Sequence, residues 1–174
     1  MQDEPQLEPG RTLIKLGQPK QDDWALSRDE ARLPDRRRPV IVPLSLWRDR
    51  SADAALAPWL ASDTELNEAL ATILASAPLV AIDFPAFTDG RGYTLARLLR
   101  ERYGYPGEIR AIGDVLVDQL FYMSRCGFDA LALREDQHLD DALRALGAFS
   151  VSYQPAVDLS EPLFKRRLRE NGHA

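Results

Sequence analysis

From Pro39 onward, short apolar runs alternate with stretches that carry a helical stripe. Val40-Ile41-Val42-Pro43-Leu44 opens the pattern, Pro58-Trp59-Leu60 continues it more weakly, and strand-like segments recur at 79–84, 108–112, 129–133 and 149–153. A run as continuous as Leu79-Val80-Ala81-Ile82 suits a strand covered on both faces, as in a parallel sheet flanked by helices. Between the runs, Leu95, Leu98, Leu99 and Tyr103 form one stripe, and Leu139, Ala142, Leu143 and Leu146 another at i, i+3, i+4, i+7 spacing. Gly104, Gly127 and Gly147 fall where these helices should end, in the left-handed turn that side chains resist. The pattern predicts an α/β domain of repeated βα units around a mainly parallel sheet. Six strands fall short of an eight-fold barrel, which leaves an open doubly wound sheet or a partial TIM-like barrel.

Ahead of that pattern the chain is polar. A β-like run at 12–16, broken by Gly17-Gln18-Pro19, reads as an N-terminal β-hairpin arm, and residues 28–39, with Arg36-Arg37-Arg38, read as a solvated connector. The expected organisation is an arm and connector over 1–38, one α/β domain over 39–160, and a basic tail over 161–174. Within the tail, Lys165-Arg166-Arg167-Leu168-Arg169 suits either solvent or an acidic partner.

Composition narrows the function classes. With 174 residues, 45% of them hydrophobic and 28% charged, the chain has the makings of one packed core. A net charge of -5 argues against nucleic acid as a partner, and no apolar stretch reaches the roughly 20 residues that cross a bilayer. Only three of the 22 basic residues are lysines, so arginine abundance does not single out any one arginine. The single cysteine, Cys126, forms no internal disulfide, and the start Met1-Gln2-Asp3-Glu4-Pro5 lacks a signal pattern, so a reducing cytoplasm is the expected compartment. One cysteine and two histidines, His138 and His173, cannot supply an iron–sulfur cluster or a usual structural zinc site, and no glycine-flanked serine elbow is present. No cofactor is encoded by a recognisable motif, and no metal site is expected.

Right-handed crossovers gather all strand C-termini on one edge, which is where a site belongs. That edge collects Asp83-Phe84-Pro85, Gly113-Asp114, Arg134-Glu135 and Tyr153-Gln154-Pro155. Asp83 and Asp114 are the candidate catalytic pair, able to divide acid and base roles if burial separates their pKa values, or to hold a hard cation through oxygen ligands. The plainer readings are a solvent-facing strand end for Asp83 and, for Asp114, an N-cap to a helix starting near Val115. Asp89, Gly90, Arg91 and Gly92, between a strand and a helix, suit an anion held by freed amides and a guanidinium, or a structural turn capped by Asp89. Arg97, Arg110, Gln119 and Tyr153 complete the candidate anion-binding set. Asp118 and Arg125 read as a solvated helix flank, and Cys126 as an inert buried thiol.

The run from Asp83 to Tyr93, followed by Arg97-Leu98-Leu99-Arg100 and Arg110-Ala111-Ile112-Gly113-Asp114-Val115, resembles bacterial domain of unknown function family 934. The resemblance continues through Asp118-Gln119, Cys126-Gly127-Phe128-Asp129-Ala130 and Phe149-Ser150-Val151-Ser152-Tyr153-Gln154, and covers about Pro39 to Arg167. It implies a setting, because the family's genes commonly lie beside that for assimilatory sulfite reductase, and it brings a loose label of oxidoreductase. Six-electron sulfite reduction needs siroheme and an iron–sulfur cluster, which this chain cannot ligate unaided. The resemblance therefore implies an accessory protein of sulfur assimilation that binds the reductase or a small anion. Two alternatives remain: an enzyme acting on a phosphorylated or sulfonated small molecule, and a structural protein that completes its sheet by homodimerisation.

Overall fold

A computed structural model describes residues 7–8, 11–34, 38–147 and 156–157. Six strands run parallel: β4 (Ala25–Ser27), β5 (Val40–Pro43), β6 (Leu56–Leu60), β7 (Leu79–Phe84), β8 (Glu108–Gly113) and β9 (Ala130–Ala132). Three strands pair antiparallel at the ends of the same sheet. β1 (Leu7–Glu8) lies on β4, β2 (Leu13–Lys15) lies on β9, and β3 (Gln18–Lys20) lies on β2. The full order is β1-β4-β5-β6-β7-β8-β9-β2-β3. The hairpin arm, and β4 just ahead of the connector, are thus members of the domain's own sheet.

The helices α1 (Leu44–Arg48), α2 (Glu68–Leu74), α3 (Arg91–Arg97), α4 (Leu120–Arg125) and α5 (Leu139–Gly147) each follow one parallel strand. Because the order of the parallel strands never reverses, right-handed crossovers put all the helices on one face, and the sheet is not doubly wound. Side chains divide accordingly. Val42, Leu56, Ile82, Phe84, Ile109 and Leu131 face the helices and pack with Leu74, Leu99, Leu120 and Met123. Ile41, Ala57, Ala81, Ile112, Ala130 and Ala132 face the other way, toward Trp24, Leu26 and Trp59.

The connection from β3 to β4 shows that the sheet curls. Those strands are seven neighbours apart in the order, or about 34 Å along a flat sheet. The five Cα steps from Lys20 to Ala25 span at most about 18 Å, so the sheet bends through at least about half a turn. The result is a mixed α/β half-barrel, with residues 21–24 crossing its concave face as a strap.

Several expectations hold in detail. β7 spans the predicted 79–84, and Gly104 and Gly127 take φ of 61° and 104° where helical segments end. Leu98–Arg102 continues α3 as a wider turn that keeps Leu95 and Leu99 buried. Others are corrected. The hairpin arm is present, with β2 pairing β3 across Leu16-Gly17, but Gln18-Pro19 is not part of the break and belongs to β3, an edge strand where proline is tolerated. Asp114 is not an N-cap, since the short helix beyond it starts at Val117 with Leu116 before it. The strand expected at 149–153 and the basic tail lie outside the described residues.

Candidate functional site

The C-terminal edge of the parallel strands carries the predicted residues, and the structure divides them among separate clusters. β7 delivers Asp83 to the concave side, 13% exposed, where its Oδ1 accepts 2.8 Å from Arg28 Nη2 just beyond β4. The Arg28 guanidinium lies 5.6 Å over the Trp59 ring, and Trp59 Nε1 donates to the Ser27 carbonyl. Asp83 is therefore an ion-paired interior group and not a solvent-facing strand end. On the neighbouring strand, the Asp114 N–H donates to the Phe84 carbonyl at 2.8 Å. Its carboxylate lies 3.5 Å from Arg134 Nη1, and Arg134 also binds Asp136. The two candidate catalytic carboxylates end adjacent strands, but each has its own arginine.

Gly113 explains how the strand ends fit together. Its φ is 89°, and a Cβ there would stand 2.4 Å from the Phe84 carbonyl oxygen and 2.6 Å from Asp83 Oδ1. Only a residue without a side chain lets β8 turn away at this point. Arg11 Nη1 closes the same corner by donating 2.7 Å to the Gly113 carbonyl.

The loop of residues 85–90 follows β7. Asp89 Oδ1 accepts from the Arg91 N–H at 3.1 Å and from its Nε at 3.0 Å, while Oδ2 accepts from Arg91 Nη2 at 2.7 Å and Ser62 Oγ at 2.6 Å. The Arg91 guanidinium, then Ser62, hold the Asp89 carboxyl far below the usual carboxylate range. The anion that this turn binds is the chain's own carboxylate, which supports the capped-turn reading over a vacant oxyanion cradle. Gly92 serves packing, because a Cβ there would meet the Phe84 ring at 2.7 Å; Gly90 has ordinary helical dihedrals.

The remaining candidates do not join this loop as ligand groups. Arg97 pairs with Glu101 along its own helical segment at 3.2 Å. Arg110 is 3% exposed on the concave face, held by Asp22 at 2.7 Å and Glu108 at 2.8 Å. Gln119 does reach the loop, donating Nε2 to the Phe87 carbonyl at 3.0 Å while its Oε1 accepts from the Leu116 N–H. Tyr153 lies outside the described residues. Cys126 is buried at the end of α4, and burial raises its thiol pKa, consistent with an inert group. Among the described residues, no group of three His, Cys, Asp or Glu side chains is placed to hold a metal, and no helix is long and apolar enough to cross a membrane.

With the arginines of this edge engaged by carboxylates or carbonyls, its exposed apolar feature is aromatic. Phe87 and Tyr122 are each 53% exposed. Tyr122 packs on Tyr93 with ring centroids 5.0 Å apart, and Tyr93 stands edge-on to buried Phe84 at 5.2 Å. Burial pushes the Tyr93 phenol up to about 12. Gln119 and Asp89 brace the loop from two sides, so Phe87 is presented from a fixed backbone. Sequence reading placed Arg134 on this edge but missed Arg28, Ser62, Phe87 and Tyr122; an aromatic residue in a Pro- and Gly-flanked loop is the signal that could have found Phe87.

No curated protein and no solved structure matches the chain. The match to a family covers residues 57–164, from within β6 past the end of α5, and so includes the braced loop, Asp83, Asp114 and the aromatic platform. On that match the chain belongs to the bacterial family described as a protein of unknown function, DUF934.

Proposed function

We propose that this protein is an accessory factor of assimilatory sulfite reduction, working in the cytoplasm and docking on the reductase through the C-terminal edge of its half-barrel. The observation that carries the docking half of this reading is the Phe87 loop. Exposed aromatic side chains on a rigid backbone, rimmed by arginines, have the makeup of protein-binding hot spots. Phe87 and Tyr122 are half exposed while Asp89, Ser62, Arg91 and Gln119 hold the segment between them. The sulfur-assimilation half rests on the family resemblance and on ligand count. A chain with one cysteine, buried, cannot supply the thiolates of an iron–sulfur cluster, so redox function would require a bound organic cofactor or a partner subunit.

A catalytic role on a phosphorylated or sulfonated substrate has less support. Arg91 is occupied by Asp89, and the Asp83 and Asp114 carboxylates are each ion-paired. A small anion would have to displace an existing carboxylate before it could bind there.

The test is growth of a strain lacking the gene on sulfate, sulfite or cysteine as sole sulfur source. Failure on sulfate and sulfite with rescue by cysteine is the expected result, and a Phe87→Ala/Tyr122→Ala copy of confirmed stability should fail to restore growth. Normal growth on all three sources would overturn the assignment to sulfite reduction.

A further inference from the structure

At the opposite edge of the sheet, beside the start of β9, lies an open cavity of about 450 Å³. Leu16, Phe128, Leu131, Leu146 and Val157 form its apolar wall, and Arg100 and Asp129 its polar side. Those two charges are answered within the chain. Arg100 donates to the carbonyls of Tyr105 at 2.6 Å, Gly107 at 2.8 Å and Gly127 at 3.1 Å, and it pairs with Asp129. Asp129 also accepts from the Ile109 N–H at 2.9 Å. Among the described lining residues a charged occupant would find no open counter-charge, so their wall suits an uncharged apolar group.

Such a group stands at its rim. Leu16 opens the two-residue turn between β2 and β3 with φ of 50°, followed by Gly17 at 74°. This pair of positive values is the type I′ geometry that favours Asn-Gly and strains a branched apolar residue. The strain gains little packing inside the chain, because Leu16 is 73% exposed. Its N–H donates 2.8 Å to the Asp129 carbonyl, which fixes the leucine as a rigid knob beside the hole.

Edge-to-edge strand pairing is blocked here. The register sets Lys15 against Gln18 next to the turn, so the outward-facing nitrogen of β3 is that of Pro19, which has no hydrogen to donate. Only the Pro19 carbonyl remains for a neighbouring backbone, so contact with a further chain along β3 relies on side chains.

We propose that this patch is a homodimer interface in which Leu16 of each copy seats in the cavity of the other. A surface that carries both knob and hole is complementary to itself about a two-fold axis, and that arrangement closes at two copies.

Sedimentation equilibrium of the full chain up to roughly 100 µM, the range of a small standard interface, tests the proposal. The wild type should show a concentration-dependent dimer. Leu16→Asn, which suits the turn and keeps the fold, should weaken it by at least about ten-fold, and Ser124→Trp, on the cavity wall, should do the same with an unchanged circular dichroism spectrum. A wild type that stays monomeric throughout, or variants that dimerise as well as it does, would overturn the proposal.

Discussion

Asp22 and Arg110 are 88 residues apart in sequence and 2.7 Å apart in space. Asp22 lies in the strap between β3 and β4, and Arg110 on the concave face of β8, so the pair fastens the strap to the sheet it crosses. Glu108 holds the Arg110 Nε at 2.8 Å and Lys15 of β2 at 2.6 Å. Two acids and two bases thus join β2, β8 and the strap inside the half-barrel.

Removing Asp22 leaves Arg110 buried with one carboxylate where it had two. Asp22→Ala should cost about 2 to 4 kcal/mol in urea denaturation, close to the range for breaking a buried pair. Arg91→Ala should cost much less than Asp22→Ala, because the Arg91 side chain is exposed and its pair is screened by solvent.

Burial works against the Glu108 charge, but Arg110 and Lys15 more than offset it and hold the carboxyl below its ordinary value of 4.5. A depressed folded-state pKa contributes stability that is present above the unfolded value and lost as pH falls through the folded one. Denaturation midpoints should therefore drop as pH goes below 4.5. In Glu108→Gln the drop should be shallower and the neutral-pH stability lower; equal slopes in the two proteins would rule out this role for Glu108.

Gly113 and Gly90 predict opposite responses to alanine. At Gly113 the new Cβ would meet backbone at 2.4 Å in a left-handed conformation, so Gly113→Ala should cost about 3 kcal/mol or more. Gly90 has helical dihedrals and only a 3.9 Å contact, so Gly90→Ala should be neutral or stabilise by a few tenths of a kcal/mol. Thermal melts of the two variants side by side decide this.

What the sequence reveals follows the range of the forces. β7 and α5 are legible because their apolar spacing is local and uninterrupted. β4 is not, because three residues just ahead of the polar connector become a strand only by pairing with β1 and β5. The strap is equally hidden: Trp24 reads as one more aromatic until the curl of the sheet brings it against the concave-face cluster. At the site, the position of Asp83 and Asp114 on one edge follows from strand order alone. Their partners do not, since the Arg28–Asp83 bond spans 55 residues and no local pattern encodes it. The Asp89–Arg91 pair is close in sequence, yet only the geometry shows that the arginine is already engaged.

The most direct test of the account is the affinity of the purified protein for the sulfite reductase of the same cell, measured for the wild type and for Phe87→Ala/Tyr122→Ala. Arg144→Ala, a change on the exposed side of α5 whose guanidinium pairs with Asp141, serves as the control. Saturable binding that weakens by at least about thirty-fold in the double variant, the loss of roughly 2 kcal/mol that defines a hot spot, and stays level in the control is the predicted result. No binding by the wild type, or binding indifferent to both aromatics, would contradict it.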